Sequence, residues 1–104
     1  MARVKALFYV PINDNDGRSL AQETSDLEVE LFVRFGGWTF QGYVKGAWTM
    51  ADGSRSVDES GSYFVVLEES RVPELEQALL DFKAKTLQEA LYLEIQRDVD
   101  VRCI

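Results

Sequence analysis

Val4-Lys5-Ala6-Leu7-Phe8-Tyr9-Val10-Pro11 is the stretch on which the fold turns. Successive side chains of an extended strand point to opposite faces, so Val4, Ala6, Phe8 and Val10 share one face while Leu7 and Tyr9 share the other. A strand that is apolar on both faces near its middle belongs inside a sheet rather than at its edge. Pro11 ends it, because proline has no N–H to give to a ladder. Asn13-Asp14-Asn15-Asp16-Gly17 follows as a dense cluster of turn formers.

Beyond that turn the apolar period changes from two to three and four. Leu20, Thr24, Leu27, Leu31 and Phe35 line one side of a helix expected over about 20–35. Ser19 is its expected N-cap, Glu23 faces the positive end of the macrodipole, and Gly36-Gly37 can take the positive φ of a C-cap. Trp38 to Met50 reads as a strand, and Gly42 and Gly46 inside it mark a bulge, a bend or a close backbone approach. Asp52-Gly53 suits a tight hairpin whose two central residues both take positive φ.

The returning strand is expected over about 60–68, with Tyr63, Val65 and Leu67 on one face and Phe64 and Val66 on the other. A second helix follows over about 71–85, capped by Ser70, with Pro73 in its first turn. Val72, Leu75, Ala78, Leu79 and Phe82 form its apolar stripe, and Lys83 and Lys85 suit its negative end. Glu89 to Ile95 then alternates, Leu91, Leu93 and Ile95 opposing Ala90, Tyr92 and Glu94. Val99, Val101 and Cys103 form a short last strand or extend that one.

Strand, helix, hairpin, helix, strand makes an α+β chain of the β-α-β-β-α-β kind, an antiparallel sheet with both helices on one face. Its two β-α-β halves fall at about 4–50 and 60–95. The 104 residues fit a single domain over 1–104, and 46% apolar with 28% charged is a globular composition.

Eighteen acidic against eleven basic side chains leave a net charge of −7, and no basic run of five occurs. Phosphate backbones are held mainly by Lys and Arg, so nucleic acid is not an expected partner. Histidine is absent, which removes the commonest general base, the usual zinc ligand and every Ser-His or Cys-His scheme within the chain. Cys103 stands alone and cannot form an internal disulfide, which suits a reducing cytoplasm. Met1-Ala2-Arg3-Val4-Lys5 leads straight into an apolar run too short to span a membrane, with no cleavage pattern after it. The chain therefore reads as cytoplasmic, with no membrane partner.

Two loop motifs fail on their chemistry. With Gly17 at position six of a calcium loop, Asp14, Asp16 and Glu23 fall on ligand positions, but position one is Ile12, which has no side-chain oxygen. Gly36-Gly37-Trp38-Thr39 resembles a phosphate cradle, yet it closes a helix and so presents the negative dipole end. No metal and no cofactor is expected.

Aromatic residues are the remaining surplus. Tyr9, Tyr43, Tyr63 and Tyr92, gathered on a sheet face that no helix covers, form an amphipathic platform for a partner or a second copy. Gln88-Glu89, at the junction of the second helix with the last strand, offers a carboxylate beside an amide. Glu89 is the one candidate acid or base there; satisfying loop backbone groups is its structural alternative. Asp58-Glu59 and Glu68-Glu69 read as solvated turn charges.

Arg34-Phe35-Gly36-Gly37-Trp38-Thr39, Gly46-Ala47-Trp48, Asp52-Gly53 and Phe82-Lys83-Ala84-Lys85 through Gln88-Glu89-Ala90 to Tyr92-Leu93-Glu94 resemble a family of small bacterial proteins of unknown function. The likeness covers about two-thirds of the chain, without the lipoprotein-like leader that some such proteins carry. It implies a ferredoxin-like fold, with the Gly-Gly-Trp-Thr turn, Trp48 and Gln88-Glu89 as recurring features, and it implies no reaction.

Two functions stay open. The first is a non-enzymatic module that forms a homodimer, or binds a protein partner, through its aromatic sheet face. The second is a small-molecule binder or enzyme with a pocket between the sheet and the helices, lined by Trp48, Tyr63, Gln88 and Glu89. Acidic mimicry of nucleic acid rests on net charge alone.

Overall fold

The structure is a computed structural model and describes residues 2–104; Met1, where the expected domain begins, lies outside the described residues. In chain order it contains β1 (Arg3–Pro11), α1 (Ala21–Phe35), β2 (Thr39–Thr49), β3 (Arg55–Glu68), α2 (Val72–Lys85) and β4 (Leu93–Gln96). The strands form one sheet in the order β2-β3-β1-β4, with antiparallel neighbours throughout. The molecule is thus a small α+β structure of four antiparallel strands and two helices. β1 and β2 flank β3, while β3 and β4 flank β1, so each β-α-β unit is split by a strand of the other.

β1 occupies an interior position, as its two-faced apolarity requires. Val4, Ala6, Phe8 and Val10 are buried. Opposite them on β3, Leu67 pairs with Val4, Val65 with Ala6 and Tyr63 with Phe8. Leu27 and Leu31 of α1 and Val72, Leu75, Leu79 and Phe82 of α2 close over this one face in a single cluster. Each fully buried aliphatic or aromatic side chain of this kind contributes about 1.5–3 kcal/mol over its exposed state. The other face carries Leu7 and Tyr9 of β1 and Phe64 and Val66 of β3, only partly buried, and neither helix contributes to it.

Several element ends differ from expectation. Leu20, not Ser19, stands at the N-cap of α1, and the Ser19 hydroxyl accepts the Ala21 N–H at 3.1 Å. Gly36 ends α1 in the left-handed region, φ +82°, its N–H donating to the Phe32 carbonyl at 2.9 Å. A 3₁₀ turn over Glu69–Arg71 precedes α2, so Ser70 lies inside that turn and Arg71 takes the cap position. The Arg71 guanidinium, which has donors only, makes no cap bond to α2; it donates instead to the Arg34 carbonyl at 2.7 Å, near the end of α1, and to Glu74, and lies over the Phe35 ring at 4.8 Å. The hairpin turn covers Met50–Gly53, with Gly53 alone at positive φ, so its loop exceeds the expected two residues. β3 begins at Arg55 and β4 has four residues; Val99, Val101 and Cys103 lie in no strand.

Gly42 is the bulge. Pairing passes from Phe40 with Tyr63 to Tyr43 with Gly61, three steps along β2 against two along β3, and Gly42 sits at φ +105°. The extra residue re-phases the strand, so Phe40 and Tyr43 share a face that strict alternation would deny them.

Candidate functional site

On the helix-free face, a cleft of about 280 Å³ opens where the end of β1, the β2–β3 hairpin and the loop before β4 meet. The loop owes its path to the end of α2. Leu87 N–H donates to the Ala84 carbonyl and Gln88 N–H to the Lys83 carbonyl, the pair of bonds that closes a Schellman motif. The left-handed position in that motif usually belongs to glycine, yet here it holds Leu87 at φ +56°, a residue 81% exposed. The turn swings Gln88 and Glu89 out of the helix layer towards the hairpin tip.

Glu89 Oε1 accepts the Ala51 N–H at 2.6 Å, tying that tip to a loop 38 positions along the chain. One carboxylate oxygen is therefore spent on backbone, the structural alternative weighed for this residue. Across the cleft the rings of Tyr9 and Tyr92 stack at 4.7 Å and 15°, and Trp48 leans on Tyr92 at 6.1 Å and 37°. Trp48 lies directly on Gly46: a Cβ there would stand 2.8 Å from the indole, so the glycine is what lets the ring lie flat. Ser56, Asp58 and Ser60 alternate along the same face of β3 and complete the cleft. Its charged lining residues are Asp58 and Glu89, and no Lys or Arg joins them. At its margin the Tyr92 hydroxyl donates to Glu94 Oε1 at 2.6 Å. That bond, with a second from Gln96, holds the Glu94 carboxyl below its usual range, while the carboxylate pushes the Tyr92 hydroxyl up.

The pocket expected between the sheet and the helices lies instead on the helix-free face, where Trp48, Gln88 and Glu89 come together without Tyr63. Tyr63 pairs with Phe8 on the helix-covered face, stacks on its ring at 5.8 Å and donates its hydroxyl to Glu28 Oε2 at 2.6 Å. Burial, and then the Glu28 bond, push its pKa well above the ordinary tyrosine value. The expected platform of four tyrosines likewise splits. Tyr9 and Tyr92 lie on the open face; Tyr63 and, through the bulge, Tyr43 lie on the other. The place of Asp58 in the cleft is not among the sequence expectations, although Ser56, Asp58, Ser60 and Ser62 at every second position put a run of small polar side chains on one face of β3.

Asp14, weighed as a calcium ligand, is engaged by its own loop. It accepts the N–H groups of Arg18 and Asp16 and the Arg18 guanidinium, and the backbone bond from Arg18 foremost lowers its pKa. Among the described residues no helix is long and apolar enough to cross a membrane.

The cleft can offer stacked rings to a flat ligand and two carboxylates to a positive charge. The Ser56 hydroxyl donates to Asp58 at 3.0 Å, and no imidazole exists to activate a nucleophile.

No protein-family model matches the chain, and no curated protein matches it. Among solved structures the chain is similar to a phage SAM lyase in complex with S-methyl-5′-thioadenosine, with a TM-score of 0.72. The two share 17% identity over 92% of this chain and 81% of that one, a likeness of fold.

Proposed function

We propose that this cleft binds a small ligand that combines a flat heteroaromatic ring with a positive charge, and that adenosyl sulfonium compounds are the class to test first. The observation that carries the reading is the Tyr9, Tyr92 and Trp48 ring cluster beside Asp58 and Glu89 with no basic side chain in the lining. Aromatic faces attract both planar rings and cations, and a cleft edged by carboxylates repels phosphates. The phage SAM lyase supplies the choice of probe. In this reading Trp48 and Tyr92 hold the ring, Gln88 offers an amide, and Glu89 both clasps the hairpin and faces the charge. The fold itself we read as ferredoxin-like, supported by the two mutually split β-α-β units.

Titration calorimetry with S-adenosylmethionine, S-adenosylhomocysteine and S-methyl-5′-thioadenosine tests the reading, with chromatography of the mixtures to detect turnover. The sulfonium compound is expected to bind at least tenfold more tightly than its neutral thioether counterpart. Trp48→Ala is expected to weaken it at least tenfold without moving the thermal midpoint by more than a few degrees. Equal affinity for the charged and neutral compounds, or no binding at millimolar concentration, overturns the proposal.

Self-association is the second reading, favoured by the part-exposed Leu7, Phe64 and Val66 on the helix-free face. Light scattering at micromolar concentration decides it: a dimer that Phe64→Ser dissociates supports it, and a strict monomer removes it.

A further inference from the structure

A second cleft of about 250 Å³ lies on the helix-covered side, between the start of α1 and the bulged part of β2. Pro11 borders both clefts, so they sit back to back at the end of β1. Three rings wall the second one. Phe40 meets Tyr43 at 5.2 Å and 71°, and meets Tyr63 at 5.3 Å and 60°. Both Phe40 and Tyr63 rest on Gly61, where a Cβ would stand 3.1 Å from each ring.

The bulge is the informative feature. It turns Tyr43 onto this side, yet Tyr43 gains little burial there, remaining 72% exposed. A packing explanation would leave that ring covered. Bulges are common where a side chain must be re-aimed beside a binding site.

The charge of the cleft then selects the ligand. Glu28 lines it, one of its oxygens already taken by Tyr63, and no Lys or Arg lies in the lining. The nearby Arg18 is engaged by Asp14. The N-terminal end of α1 opposes a cation with roughly half a positive charge, while Glu28 brings a whole negative one. Glu23 in the first turn of α1 offsets the dipole further. Tilted aromatic faces beside one carboxylate are the chemistry that holds an ammonium group.

We propose that the Phe40–Tyr43–Tyr63 cleft, with Glu28 as counter-charge, is a second ligand site, one for a small organic ammonium ion. It is separate from the first cleft and does not depend on what binds there.

Amide-resolved NMR of the full chain, titrated with n-butylammonium, tetramethylammonium and neutral n-butanol at constant ionic strength, tests this. Saturable shifts are expected at Phe40, Tyr43 and Gly61 with an ammonium ion and not with n-butanol. The stronger of the two ions shows whether the site prefers a primary or a methylated head. Glu28→Gln, which keeps an acceptor for the Tyr63 hydroxyl, is expected to weaken binding at least tenfold. Tyr43→Ala, at an exposed position, is expected to do the same and carries the test if Glu28→Gln loses its fold. Equal response to n-butanol, unchanged binding in the variant that folds, or shifts confined to Trp48 and Tyr92 would overturn the proposal.

Discussion

Tyr63 and Tyr92 flank β1 from either side, and each donates its hydroxyl to a glutamate oxygen at 2.6 Å. Tyr63 is 6% exposed and its partner Glu28 reaches it from a helix, 35 positions away; Tyr92 is 37% exposed and its partner Glu94 is two residues along. The first bond joins α1 to the sheet and is part-buried, so its loss costs more than that of an exposed bond. The second is local and replaceable by water. Identical distances therefore say little about worth; the face of the sheet decides it.

Phe8 and Tyr9 give that contrast its sharpest form, since neighbours on one strand point to opposite faces. Phe8→Ala, at a fully buried site, is expected to cost about 3–5 kcal/mol in urea unfolding, and Tyr9→Ala about 1 kcal/mol or less. Comparable losses would mean that the open face is a core in its own right. Tyr63→Phe is expected to cost about 1–2 kcal/mol, whereas Tyr92→Phe leaves the urea midpoint where it is. The same pair separates by pH. A tyrosine whose folded pKa lies above its unfolded value adds stability that is complete below about pH 10 and fades as pH rises towards the folded value. Tyr63 and Tyr92 are both shifted upwards. Stability should therefore fall above pH 10, and Tyr63→Phe should shrink that fall more than Tyr92→Phe does. A small effect of the opposite sign is expected at Leu87, where Leu87→Gly relieves a left-handed leucine and stabilises by about 1 kcal/mol. If Leu87→Gly instead weakens ligand binding at the first cleft, the strained turn serves the site.

Much of the scaffold was legible because local physics wrote it. Alternation in Val4–Pro11 predicted both the buried face and the interior place of β1, and Gly36 predicted the end of α1. Trp48, Gln88 and Glu89 could be grouped because the hairpin and the end of α2 both lead to one end of the sheet. The side on which Tyr63 falls was harder to read, since Tyr63, Val65 and Leu67 are as apolar as Phe64 and Val66. Only the serines at 60 and 62 distinguish the two faces. Tyr43 was misplaced because one bulge residue reverses the parity of everything beyond it. Val99, Val101 and Cys103 alternate well enough, but alternation describes a face and not a neighbour to pair with. The outer side of α1 shows the converse: Val29, Phe32 and Val33 are more than half exposed, an apolar stripe opposite the one that the period predicted.

The bulge at Gly42 also bears on what can pair with the edge of the sheet. β2 is an edge strand of eleven residues, rich in aromatic side chains, with one side of its backbone unpaired in the sheet. A flat edge of that length is a template on which another extended chain can add itself. Gly42 kinks it part-way along, so no incoming strand can match its spacing from end to end, and at the opposite edge β4 is only four residues long. One long but kinked border and one short border resist edge-to-edge polymerisation, and a chain shortened by deleting Gly42 would trade that resistance for straightness.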